Sequence, residues 1–345
     1  MSRHRHRTAL ALILSLAAGG ATTPAWALDR TWTLEGQDLK IASPCARSVQ
    51  ITAAADTRSI RVVAMADDAG EIDQLAASGG QTAQLSATGR RCYHRGEDWN
   101  RWQPTLRIEI VVPAGTPLDV QEGGSTDYAA SGGFGALTLT LDGSGNFKGG
   151  RVTGGARVRS HGSGDMELDR LDGALTVRAA GSGNITITQM AGPSTDLESS
   201  GSGNITISGG SGGATTAKIN GSGDITLPAV GSLRLVARGS GDTVAARAQG
   251  EVSAELSGSG TLKLHAVSAP TALLRQSGNG DITIDGGEIG SLTSTISGSG
   301  DQVIHAKVTD ASVSLSGSGD VHIDQVTGHL DQTRSGSGSV RVGGH

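Results

Sequence analysis

The chain has 345 residues and almost no aromatic side chains: two Phe, two Tyr and four Trp, with none after Phe147. Any core beyond that point must be filled by Ile, Leu, Val and Ala, which makes it thin. Cysteine is scarcer still, with only Cys45 and Cys92. Outside the first residues no apolar run approaches the eighteen or more that a membrane-spanning helix requires, so no such helix is expected. Basic surplus is also missing. If the first 27 residues are removed, three of 28 basic residues go and none of 33 acidic ones, leaving 25 against 33 and a formal charge of −8. A chain of that sign does not suit nucleic acid as a partner.

The first 27 residues combine Arg3, Arg5 and Arg7 with the apolar run Ala9 to Ala18 and with Ala25-Trp26-Ala27. Those are the parts of a cleavable secretory signal, and cleavage after Ala27 is expected. No cysteine follows to carry a lipid, and the sequence ends in Val340-Arg341-Val342-Gly343-Gly344-His345 rather than in a hydrophobic tail. The expectation is a soluble exported protein, in the periplasm, at the cell surface or outside the cell. In an oxidising compartment an even pair of cysteines, Cys45 and Cys92, is most simply a structural disulfide.

Glycine, in contrast, is abundant at 54 residues. Gly-x-Gly recurs with its first glycine at 143, 162, 181, 201, 221, 239, 258, 278, 298, 317 and 336, in steps of 18 to 20 residues. Disorder does not keep such a period. A fixed repeat of this length means one small unit that buries its apolar face only against its neighbours. After each Gly-x-Gly comes a short polar residue, then an alternating run such as Ile185-Thr186-Ile187 or Val321-His322-Ile323. Alternation of that kind is a half-buried strand. A corner with one apolar residue follows (Leu171, Met190, Val230, Val267, Val326), then a second alternating run such as Val252-x-Ala254-x-Leu256. The same register reaches back through Leu137-x-Leu139-x-Leu141 to a worn copy at Leu118, Val120, Gly124 and Asp127, which reads as a capping coil.

An antiparallel meander would need more than about twenty strands in one sheet, beyond the roughly ten that open twisted sheets sustain. The reading is therefore all-β: a right-handed parallel β-solenoid, or β-helix, of about twelve coils of roughly 19 residues. At about 4.8 Å per coil it forms a rod on the order of 55 Å long. The domain plan is a signal peptide over 1–27, a small disulfide-bearing β domain over 28–104 and the solenoid over 105–345.

The repeat Gly-Ser-Gly-Asp-Ile-Thr (Gly221 to Thr226) and the lead-in Ile108-Glu109-Ile110-Val111-Val112-Pro113-Ala114-Gly115-Thr116 resemble bacterial β-solenoid domains of the auto-transporter adhesin head GIN domain family. The resemblance covers roughly residues 105 to 345. It implies the solenoid fold and an adhesive role. The sequence differs from a full autotransporter in carrying no C-terminal series of ten-residue amphipathic strands for an outer-membrane barrel.

Candidate chemistry is sparse. The glycines do not form a phosphate loop, because a strand rather than a helix follows them; they are expected to adopt positive φ at a tight corner. The column beside them (Asn146, Asp165, Asn184, Asn204, Asp224, Asp242, Thr261, Asp281, Asp301, Asp320, Ser339) shares a side-chain oxygen that can cap a turn. Three successive carboxylates, Asp281, Asp301 and Asp320, are the calcium candidates within it. The central serines are ten equivalent residues, whereas a nucleophile needs one serine beside a base. Outward threonines such as Thr186 and Thr206 share their column with Lys, Glu and His, the ordinary composition of a solvated face. His265 and His305 stand two coils apart, too far for one zinc. No cofactor, resident metal or catalytic residue is expected.

One dense cluster remains, with Tyr93, Trp99, Arg101 and Trp102 among Arg90, Arg91 and Arg95. It is either a binding hot spot for a protein or glycan or the core of the small N-terminal domain. The expected function is an exported, non-enzymatic, adhesin-like protein with an unidentified surface partner. A calcium- or glycan-binding module and a polysaccharide-active β-helix are the alternatives. The sequence leaves open monomer or end-to-end assembly.

Overall fold

The computed structural model describes residues 28–88 and 104–343. It is a β-solenoid of about twelve turns, 63% strand and 2% helix. Two stacks of parallel strands form its walls. One runs from Asp38–Ala42 through Leu118–Glu122, Leu137–Leu141, Ala156–Ser160 and Leu175–Ala179. The other runs from Ser48–Ala54 through Asp127–Phe134, Phe147–Val152 and Met166–Leu171. From Ile185 onward several strands pass through the corner and serve both walls, as in Ile185–Ser199, Ile205–Ile219 and Gln302–Leu315. The stack ends at Leu330–Arg334 and Val340–Val342.

Strand alternation decides what fills the interior. Ile185, Ile187, Ile205, Ile207 and Ile225 are all at or below 1% exposure, while Thr186 and Thr206 between them are half-buried. The register Ile185↔Ile205↔Ile225 puts like on like in successive coils. Each inward Ile therefore packs against another, contributing roughly 1.5–3 kcal/mol of burial. The apolar corner residues Leu171, Met190, Val230 and Val267 are buried too, and Val326, in the penultimate coil, is only partly covered. Among the described residues the buried apolar side chains form one continuous cluster from Leu34 to Ile323.

The N-terminal residues pair directly with the coils. Asp38–Ala42 and Ser48–Ala54 lie under Leu118–Glu122 and Asp127–Phe134, and a further coil, Thr82–Ala87 and Arg107–Pro113, lies beneath those. Among the described residues, the buried side chains of 28–88 belong to the same core cluster as those of the later coils. The coil at 118–127 is consequently an interior coil and not a cap, which corrects the reading of its worn sequence. The stack is finished instead by antiparallel strands: Ile60–Ala66 on Arg107–Pro113, Leu28–Leu34 on Ile60–Ala66, and Leu75–Ser78 on Thr82–Ala87.

A short helix, Ala69–Asp73, joins two of these strands; the Asp68 side chain caps it by accepting the Gly70 N–H at 2.9 Å. Its buried Glu71 accepts hydrogen bonds from the Thr105 and Leu106 N–H groups and fixes the start of Arg107–Pro113. No helix among the described residues is long and apolar enough to cross a membrane.

Candidate functional site

The Gly-x-Gly column was expected to need positive φ. It does not. Positive φ among the described glycines occurs at Gly115, Gly132, Gly210, Gly287 and Gly343, none of them in that motif. What the motif requires is close approach: a Cβ on Gly162, Gly181, Gly201 or Gly221 would overlap the carbonyl oxygen of the corresponding glycine one coil below. Where the motif is lacking, at Ser43-Pro44-Cys45, the corner is made by left-handed residues, Ser43 at φ 36 and Cys45 at φ 56. The Cys45 Sγ lies 3.6 Å from the Ser43 carbonyl oxygen. Its expected partner Cys92 lies outside the described residues, as do Tyr93, Trp99, Arg101, Trp102 and the signal segment 1–27.

The polar column beside the glycines forms a ladder that runs between coils. The Asp127 Oδ1 accepts the Asn146 N–H at 3.0 Å, and the pattern repeats through Asp165, Asn184, Asn204, Asp224, Asp242 and Thr261, each N–H donating to the side-chain oxygen one coil earlier at 2.7–3.0 Å. It resumes at the calcium candidates: Asp301 N–H to Asp281 Oδ1 at 2.8 Å, Asp320 N–H to Asp301 Oδ1 at 2.7 Å, and Ser339 N–H to Asp320 Oδ1 at 2.6 Å. The side-chain oxygens thus cap the adjacent coil, where capping of their own turn was expected. An N–H between successive carboxylates also offsets their mutual repulsion. The Ser339 N–H and hydroxyl hold the Asp320 carboxyl below the ordinary carboxylate range.

The worn coil uses a different device. Glu122 points inward in the column held by Leu141 in the next coil, and its carboxylate accepts the Gly124 N–H at 2.5 Å and the Tyr128 hydroxyl at 2.8 Å. Burial, followed by the Glu122 charge, raises the Tyr128 phenol well above its usual value.

The outward faces carry ion pairs within and between coils. Lys148 meets Glu167 at 3.0 Å, and Asp172 meets both Arg151 at 2.6 Å and Arg170 at 2.7 Å, which keeps its carboxyl low. Near the N-terminal end a shallow groove is lined by Arg47, Gln50, Arg107, Glu109 and Asp127, drawn from three stacked coils. Its lining is polar and of mixed charge, with Asp127 Oδ1 already accepting the Asn146 N–H of the next coil.

Near the other end, the residues after Leu264, Ile284, Ile304 and Ile323 form one column: His265, Asp285, His305, Asp324. His265 Nδ1 is 2.7 Å from Asp285 Oδ2, and Lys263 Nζ is 3.2 Å from the same oxygen. The imidazole and then the ammonium hold the Asp285 carboxyl below its ordinary range. His305 Nδ1 lies 3.0 Å from Asp324 Oδ1 and His322 Nε2 lies 3.2 Å from that oxygen. The sequence places His265 and His305 in one column two coils apart, as found, but its reading passed over His322 as a partner for His305; His322 lies in the neighbouring outward column one coil on from His305. The signal was there as the 17- and 19-residue separations from His305 to His322 and Asp324.

A family model described as "Putative auto-transporter adhesin, head GIN domain" matches residues 152–248 and again 234–345, more than half of the chain. No curated protein matches. Among solved structures, the chain is similar to a "putative adhesin" from Bacteroides fragilis NCTC 9343, at 14% identity, TM-score 0.24, covering 91% of this chain and 96% of that one. It is similar also to a "putative lipid binding protein" from Parabacteroides distasonis ATCC 8503, at 15% identity, TM-score 0.26 and 91% and 96% coverage. A "putative cell adhesion protein" from Clostridium sporogenes ATCC 15579 matches at 8% identity, TM-score 0.20 and 91% and 98% coverage. At such TM-scores the fold rests on the strand pairing above and not on these neighbours.

Proposed function

Because the chain belongs to the auto-transporter adhesin head GIN domain family, we propose that it is an exported, non-enzymatic protein that presents the sides of a rigid coil stack to a surface partner, protein or glycan. The observation that carries this reading is the fate of the repeated polar residues. Asp and Asn of the ladder, the candidates for chemistry that recur in nearly every coil, each commit one side-chain oxygen to the backbone of the next coil. A polysaccharide-active enzyme needs instead a carboxylate pair held for proton transfer across a bound sugar. The groove near the N-terminal end, with Arg47, Gln50 and Glu109 in its lining, suits polar recognition.

The test is a glycan-array and cell-surface binding screen with labelled residues 28–345. Saturable retention, with the ligand chemically unchanged, is expected. Release of new reducing ends from any bound polysaccharide, or the absence of retention on every surface, contradicts the proposal. Export is checked separately on the native protein: mass spectrometry should find the signal removed after Ala27 and Cys45 joined to Cys92, and two free thiols would count against it.

A further inference from the structure

We infer that His305, His322 and Asp324 form a binding site for a first-row divalent metal ion of the zinc class on the outward face of the last coils. Three observations support it. The ligand atoms, one from each residue, all lie within 4.8 Å of one another. Two imidazole nitrogens are aimed at one carboxylate oxygen, Nδ1 of His305 at 3.0 Å and Nε2 of His322 at 3.2 Å. Zinc bonds of about 2.0–2.2 Å in a tetrahedron place neighbouring ligand atoms roughly 3.3 Å apart, so the ion enters with small side-chain rotations and no change of backbone. The donor set, two imidazoles and one carboxylate, suits zinc and its neighbours and not calcium, which takes six to eight oxygens.

The site is open. The three side chains are 45%, 26% and 41% exposed, so a fourth ligand position faces solvent. The rings stand edge to face with centroids 6.1 Å apart. Strands fix the side chains from beneath: His322 and Asp324 flank buried Ile323, and His305 follows buried Ile304 in the preceding coil. A positive neighbour exists as well, since Arg341 follows His322 one coil on.

Two coils earlier the same column supplies an internal comparison. His265 and Asp285 stand where His305 and Asp324 stand, Thr283 occupies the place of His322, and Lys263 occupies the place of Val303. Lys263 puts its ammonium 3.2 Å from the Asp285 carboxylate, where a metal cation would have to sit. That copy has one imidazole too few and one cation too many.

The experiment is zinc titration of the full chain by calorimetry, with bound metal counted after dialysis, and circular dichroism to confirm the fold of each variant. The native chain should bind zinc saturably, and His305→Ala and His322→Ala should each weaken that binding by more than about tenfold, the loss that removing even an outer partner of a metal ligand can bring. The double change Lys263→Val with Thr283→His should add one further ion per chain. Calcium should not compete. The inference is overturned if the zinc count and affinity are the same in the native chain and in both alanine variants, or if zinc shows no saturable binding. Failure of the double change to add an ion also counts against it, because that change gives the earlier copy the same three side chains at the same register positions.

Discussion

Replacing Gly201 by alanine places a methyl group where the carbonyl oxygen of Gly181 already lies. Both partners are backbone, so no side chain can swing aside. The turn must lift from the coil below or the two strands leading into it must shear. Overpacking of a tight interior costs about 1–3 kcal/mol, and the rigidity of both partners puts this case near the upper end. In an array whose coils touch only their neighbours, the loss is local. Hydrogen exchange across residues 181–240 should therefore accelerate on the order of a hundredfold, with the distant coils unchanged. Gly133 is the control: it has no positive φ and nothing within 4 Å of an added Cβ, so Gly133→Ala should be neutral or slightly stabilising. Gly201→Asn separates the two explanations for the motif, since asparagine tolerates left-handed backbone but not a Cβ at that position. If Gly201→Asn is tolerated while Gly201→Ala is not, the close-approach account is wrong.

Two further outcomes follow from the charges. The carboxyls of Asp172, Asp285 and Asp320 are held low, chiefly by hydrogen bonds from Arg151, from His265 and from the Ser339 N–H respectively. A depressed folded-state pKa contributes stability that is complete above the unfolded value of about 3.9 and is lost as pH falls through the folded value. The midpoint of urea unfolding should accordingly fall below about pH 4; Tyr128, whose phenol is raised by burial, adds a loss of the opposite sense above about pH 10. For calcium, a chelator should leave the β circular dichroism unchanged, because Asp281, Asp301 and Asp320 already cap backbone N–H groups of the following coils; a large loss restored by calcium would reverse that reading.

The period, the inward Ile205 and the outward Thr206 were legible in the sequence because strand alternation and the Gly-x-Gly spacing both report the same coil. The N-terminal coils were not. Asp38–Ala42 and Ser48–Ala54 alternate as the later strands do, but their corner is Ser43-Pro44-Cys45, so no glycine marks it. Their stacking order also departs from chain order, with Thr82–Ala87 and Arg107–Pro113 beneath them and Leu118–Glu122 above. No periodicity carries that information. The role of the glycines was hidden for a related reason: positive φ and close approach both select glycine, and only the distance to Gly181 separates them. The His305, His322 and Asp324 grouping escaped because residues in different outward columns meet only when side chains lean across the face.

The claim on which all these surfaces depend is the register that sends one residue in and the next out. Ile205 is fully buried and Thr206 half-buried one residue along. Ile205→Asp places an unpaired charge in the aliphatic core and forfeits the roughly 1.5–3 kcal/mol of a buried Ile, whereas Thr206→Asp should cost on the order of 0.5 kcal/mol or less. Hydrogen exchange on both variants measures this directly. The account predicts opening of the coils around residues 181–240 in Ile205→Asp and none in Thr206→Asp; opening in Thr206→Asp with Ile205→Asp unaffected would contradict the register, and with it every outward column assigned above.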